Sequence, residues 1–319
     1  MMRLVAGCVG SDPGTGGGGG GGTDATPGTD GPGPGNDAGG GGEDGGGGSD
    51  SGPTIDGGRC DKTKPFDAPI NVPNVNSAQY DNFVTLTADE QTMYLSTDRN
   101  GGYDIYVTTW STQTNTFAIP QKEGTINNNG QDERAPTVSG DGNRLFFRSN
   151  RSGSLGFNDI WTTERSSSGA AFPDPGQAQN INGTADDVDP SLQFGGQKLY
   201  FASDRNGGGA SNYQLFESVI SGGTTQSPTL IDGPGKGVRA PVISADGLTL
   251  YYVKNGDIYA SKRSSTGGMF PDGQPVSELN SPQEDSPGWI SPDDCVMYLL
   301  SARPNGMGSL DVWMAKRPK

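Results

Sequence analysis

The groups in this chain that could do chemistry are carboxylates, arginines and three cysteines, because the sequence contains no histidine. That absence removes Ser-His-Asp and Cys-His nucleophile systems, His-ligated zinc and imidazole general bases together. Two sets recur at regular spacing: Arg99, Arg151, Arg205 and Arg303, and Asp104, Asp159, Asp257 and Asp311. A residue kept in every copy of a repeat serves the repeat, so these read as pairs bracing a loop. The Asp98–Asp104 loop has some calcium-loop character, but Arg99 within it would oppose a cation, and neither metal nor cofactor is expected. Residues that differ between copies at one position are better site candidates: Asp81, Arg134, Asp187, Arg239 and Asp285. Ringing one mouth of a channel, their alternating signs would either hold a peptide or sugar through polar contacts or close the channel as a salt-bridge ring. The competing chemistry is glycoside hydrolysis by carboxylates alone, with Asp81, Asp187 and Asp285 as acid, base or modulator about 5–10 Å apart. The primary reading assigns no catalytic residue.

The elements that would position these groups are short strands. One pattern recurs from residue 83: a first strand, a tight turn, an apolar-aromatic second strand, a loop of Ser-x-Arg type, and a short third strand. Its copies are 83–110, 136–165, 190–220, 241–263 and 287–317. Taking Phe83, Pro136, Pro190, Pro241 and Pro287 as equivalent gives steps of 53, 54, 51 and 46 residues. Self-similarity near this period, built of strands, is the mark of propeller blades. Asp141-Gly142 and Asp246-Gly247 suit tight hairpins. Tyr94, Phe146, Tyr200, Tyr251 and Tyr298 recur in the second strand, where aromatics pack well. Segments 117–126, 172–182 and 270–280 read as fourth, outer strands. A matching segment, 66–76, precedes the first copy and none follows the last. Ring closure follows: residues 66–76 complete the blade built by 287–317 and leave no open edge. The expected fold is all-β, a propeller of five four-stranded blades over residues 60–319. A sixth blade would require a copy too degenerate to recognise.

The repeat resembles the TolB-like, WD-repeat-like propeller family. The likeness rests on SGDG (139–142), SADG (244–247) and SPDD (291–294), each followed by an apolar-aromatic strand, and on STDRNGGYDIY (96–106) and SNRSGSLGFNDIW (149–161). It covers about residues 66–317 and implies the fold, with roles ranging from periplasmic scaffolds to peptidase lids and envelope lipoproteins. The third copy departs from it with Gln214-Leu215 in place of Asp-Ile, and the fourth with Lys254-Asn255 in place of the Ser-Asp-Arg loop. Some five-bladed propellers hydrolyse furanosides with acids at the channel mouth, and Trp289 could serve such a site as a sugar platform.

Outside the repeats, residues 9–59 are rich in Gly, Asp and Pro, with Ile55 the one branched aliphatic after Gly10. Such a segment has little apolar surface to offset its ordering entropy and reads as a disordered tether. It carries eight acids and no base before Arg59, so residues 59–319 keep −8 of the net −15. An acidic domain without a basic stripe argues against nucleic acid and against direct docking on anionic lipid. Val5-Ala6-Gly7-Cys8 resembles the lipobox of bacterial lipoproteins, which makes Cys8 the expected lipid-attachment residue and residues 1–8 a remnant of the signal. Only Met1-Met2-Arg3-Leu4 precede the motif, so the natural start is expected upstream. Cys60 and Cys295 fall in one blade and are expected to form a disulfide in an exported protein. The combined expectation is a monomeric, lipid-anchored protein of the bacterial cell envelope that binds an envelope protein or a peptide or glycan ligand.

Overall fold

The structure is a computed structural model and describes residues 60–319 apart from Asn129 and Gly208. Cys8, the signal remnant 1–8 and the tether 9–59 lie outside the described residues. Five antiparallel sheets form the blades of a propeller. The inner strands are Asp81–Leu86, Glu133–Val138, Asp187–Leu192, Val238–Ile243 and Asp285–Ile290. The second strands are Thr92–Thr97, Arg144–Ser149, Lys198–Ser203, Thr249–Lys254 and Val296–Ser301; the third run Asp104–Ser111, Asp159–Glu164, Gln214–Ser221, Asp257–Lys262 and Asp311–Lys316.

Strand periodicity explains the ring. Successive side chains of a strand point to opposite faces, and each second strand therefore feeds two cores. Leu145 and Phe147 pack with Tyr94 and Ile105 of blade 1, while Phe146 between them packs with Leu199 and Phe201 of blade 3. The same alternation gives five apolar clusters, one in each interface between neighbouring blades. The recurring aromatics Tyr94, Phe146, Tyr200, Tyr251 and Tyr298 are all buried.

The ring closes as expected: Ile70 and Asn71 pair with Met314 and Trp313 of the last blade. The outer strands are shorter than the sequence suggested, two or three residues each. An asparagine extends each of four of them. Asn76, Asn127, Asn182 and Asn280 accept the amide and donate to the carbonyl of Val312, Ile105, Ile160 and Ile258, one two-pronged clamp per residue. These side chains mimic one more residue of strand and satisfy backbone groups that would otherwise be stranded.

Every inner strand carries a β-bulge. In four blades the residue at the bulge, Phe83, Ala135, Asp189 or Ala240, has φ of 44 to 52°, a left-handed conformation that costs a non-glycine about 1 kcal/mol or more. Proline cannot adopt it. In the last blade, where Pro287 stands at this position, the bulge falls one residue later at Gly288. A side chain there would meet Val84 Cγ1 at 2.6 Å.

Candidate functional site at the channel mouth

The bulges correct the sequence register. Asp81, Glu133, Asp187, Val238 and Asp285 are the structurally equivalent first residues of the inner strands, and Arg134 and Arg239 are second residues. The five residues expected to ring the mouth therefore divide into two groups with different jobs. One residue of offset turns a side chain to the other face of a strand.

Asp81, Asp187 and Asp285 do not face the channel; each is fully buried, as is Glu133. Each accepts from the recurring arginine of its own blade. Arg99 Nη2 lies 2.7 Å from Asp81, Arg151 Nη2 3.0 Å from Glu133, and Arg303 Nη2 2.7 Å from Asp285, and Arg205 pairs with Asp187 in the same way. The same nitrogens donate to the carbonyls of Val75, Ile126, Ile181 and Leu279 in the incoming linkers. The other oxygens of Asp81 and Asp285 accept the amide and hydroxyl of Ser77 and of Ser281. These groups are joints that fix each linker to the blade it enters. Burial raises the Asp187 carboxyl above its ordinary range, with Arg205 opposing. The recurring arginines were expected to pair across the loop with the recurring aspartates, and they do not. Asp159 and Asp311 instead accept backbone amides of their own loops, and Asp104 pairs with Lys122.

The channel holds two chambers separated at the bulges. The narrower, about 40 Å³, is lined mainly by apolar residues of the inner strands with Thr85, Thr137, Asp189 and Ser191 among them, and Trp289 lies there against Tyr298 with ring centroids 6.0 Å apart. Trp289 is thus absent from the wider chamber and is no sugar platform for it. The wider chamber, about 270 Å³, opens at the end where the inner strands begin. Its walls bring together Arg134, Arg148 and Arg239 with Asp189, Glu284, Tyr80 and Tyr103.

Asp189 is the electrostatic centre of this chamber. Its side chain is buried, and Arg239 reaches it with Nε at 3.0 Å and Nη2 at 3.3 Å. Arg148 Nη1 stands 3.8 Å away on the other side. Burial would raise the carboxyl, but Arg239 and then Arg148 outweigh it and hold it below the usual carboxylate range. Arg239 is raised in return by Asp189. Arg148 moves the other way: burial lowers it, and Asp189 only partly compensates against the like charges of Arg239 and Arg134. Arg134 pairs with Asp132 at 2.6 Å and lies over the Tyr103 ring at 3.4 Å, a cation–π contact that fixes its plane.

Sequence reading found Arg134 and Arg239 but missed Arg148, Asp189, Tyr80, Tyr103 and Glu284. Arg148 did carry a signal, as an arginine directly after the apolar run Leu145-Phe146-Phe147 of the second strand, and Asp189 stands beside Pro190. What the pattern hid was the bulge that turns Asp189 toward Arg148, which sits two residues after Phe146 and so on the same, blade 3-facing side of its strand.

Cys60 and Cys295 are joined by a disulfide, Cα atoms 5.7 Å apart. Cys295 directly precedes the second strand of the last blade, whose far end, Ser301, pairs with Asp285 at the wide chamber's end. The chain therefore enters the propeller at the face opposite the wide mouth.

Fold and site together define a five-bladed β-propeller with an arginine- and tyrosine-walled chamber at one end of its channel. No protein-family model and no curated protein matches the sequence. Among solved structures, an endo-arabinase from Bacteroides thetaiotaomicron is similar at 14% identity and a TM-score of 0.51, over 79% of this chain and 97% of that one. A thermostable family-43 glycoside hydrolase matches at 13% and 0.50, over 78% and 92%. TolB from Acinetobacter baumannii matches at 18% and 0.45, over 80% of this chain; the chain spans about half the length of that protein, 55%. The endo-arabinase and the family-43 hydrolase, at TM-scores of 0.51 and 0.50, show a shared fold, and identities this low leave the chemistry open.

Proposed function

We propose that this chain is a non-catalytic binding propeller of the bacterial cell envelope, held to a membrane through Cys8, that takes a protein, peptide or glycan ligand at its wide channel mouth. The observation that carries this reading is the chamber itself: about 270 Å³, walled by three arginines and two tyrosines, on the face opposite the point of chain entry. Planar arginines and amphipathic tyrosines are the side chains most used in recognition. The Cys60–Cys295 disulfide supports residence in an oxidising compartment. The non-catalytic reading is supported by the fate of Asp81, Asp187 and Asp285, whose burial and pairing leave them out of a substrate's reach. The test is capture from bacterial envelope extract by the full chain and by an Arg134→Glu variant shown by its melting curve to be folded. A species retained by the first and lost by the second is expected. Equal retention by both, or by neither, would overturn the reading.

A further inference from the structure

We propose that the wide chamber is a carboxylate receptor in which the guanidinium of Arg148 takes a single carboxylate of the ligand while Tyr80 and Tyr103 flank the ligand's body. This rests on the binding reading above and names its chemistry.

The arginines of the chamber are unequally hydrogen-bonded. Three arginines line the chamber. Arg134 is answered by Asp132 at 2.6 Å. Arg239 is answered by both oxygens of Asp189, at 3.0 and 3.3 Å. Arg148 is the exception: its closest acid oxygen is Asp189 Oδ1 at 3.8 Å, beyond hydrogen-bonding distance. Its Nε is buried without a hydrogen-bond partner among the described residues. A guanidinium has five donors in a fixed fork; leaving the one on Nε unused away from water costs about 1–3 kcal/mol, and the four on the Nη atoms make no hydrogen bond among the described residues either. A structure that holds such a group 12% exposed at the edge of an open chamber has kept its donors for something that enters.

The chamber's walls also select what can enter by charge. At about 270 Å³ the chamber has room for a unit the size of one sugar or one amino-acid residue. Asp189 and Glu284 share its walls, so a dianion such as a phosphate monoester would set a second negative charge against them. One carboxylate matches the one arginine that lacks a hydrogen-bonded acid. Carboxylate and guanidinium suit each other bidentately. Asp189 then acts as a positioning residue, saturating Arg239 so that Arg148 remains open. Tyr80, 44% exposed, and Tyr103, held under Arg134, supply flat faces for the rest of the unit. Two sources carry this chemistry: a uronic acid residue of a glycan, and the terminal carboxylate of a peptide.

The test titrates the full chain with methyl galacturonoside and with N-acetylalanine, each beside its uncharged primary amide, by calorimetry. Saturable one-to-one binding of at least one acid is expected, weaker by about tenfold or more for its amide, the weight of about 1.4 kcal/mol. The acid that binds identifies the source. Arg148→Gln, checked for folding by its melting curve, is expected to lose the acid's advantage over the amide. If that variant does not fold, the acid-against-amide comparison on the unaltered chain decides. Equal binding of acid and amide, no saturation by either acid, or a folded Arg148→Gln variant that still prefers the acid would overturn the assignment. Arg134-dependent capture of an envelope component, unaffected by either acid as competitor, would overturn it too while leaving the binding reading standing.

Discussion

Glu90 makes the stability of this propeller depend on pH in a direction opposite to that of most paired carboxylates. It stands in the first hairpin turn of blade 1, where Gly142, Gly196 and Gly247 occupy the equivalent place in blades 2 to 4, and it takes φ of 56°. Its side chain is 2% exposed, and Oε1 has no hydrogen-bond partner among the described residues. Burial, then Asp293 and Asp89 against the partial relief of Lys316, raises its pKa from 4.5 to about 7. Below the unfolded value both states are protonated and the group costs nothing. Between 4.5 and about 7 the native state holds a proton that the unfolded chain has released, so stability falls as pH rises, and the full cost is present above about 7. At about 1.4 kcal/mol for each unit of pKa, the cost reaches about 3 kcal/mol. Glu90→Gln removes the charge and keeps the shape. Urea denaturation of both proteins from pH 4.5 to 8 is expected to show the variant gaining on the parent by about 3 kcal/mol across that range. A difference that stays constant with pH would refute the reasoning, because it would mean the carboxyl is either hydrated or already partnered.

Three further outcomes follow from the joints and the site. Arg303→Met leaves Asp285 buried without its cation and is expected to destabilise the fold by about 3–5 kcal/mol in the same denaturation assay; a loss under 1 kcal/mol would mean the joint contributes little. Cys60→Ser opens a loop of 235 residues and is expected to cost about 2–5 kcal/mol, measured against the oxidised parent. Arabinofuranoside substrates are expected to be left intact; turnover abolished by Asp189→Asn or Glu284→Gln would instead make the chamber an active site.

Blade number and ring closure were legible because they rest on period, and period survives a local error. Tyr94, Phe146, Tyr200, Tyr251 and Tyr298 recur whatever happens in the inner strands, and the unmatched segment 66–76 leaves one economical way to close the ring. The disulfide followed from that closure. The mouth was legible only in part, because the inner strand hides its register. Proline marks the fourth residue in blades 2 to 4, as Pro136, Pro190 and Pro241, but the third in blade 5, as Pro287, and blade 1 has none. Aligning on proline therefore set Asp81 and Asp285 beside Arg134 and Arg239. The structure sets them beside Glu133, where an acid meets the arginine of the blade. The chamber's centre depends on a left-handed aspartate at a bulge, Asp189, and local propensity does not mark the position, since Phe83, Ala135 and Ala240 take the same conformation in other blades. Three of the asparagine clamps were in view as the final residues of segments 66–76, 172–182 and 270–280, but only the partner backbone reveals what they do.

The central claim is that ligand is taken at the wide mouth, and site-directed photocrosslinking tests it most directly. A photoreactive phenylalanine analogue would replace Tyr80, which lines the mouth, or Asp141, an exposed turn residue at the opposite end of blade 2. Both full chains would be irradiated in bacterial envelope extract. The account predicts a discrete adduct from position 80 and none from position 141. An adduct from position 141 alone, or none from either, would contradict it.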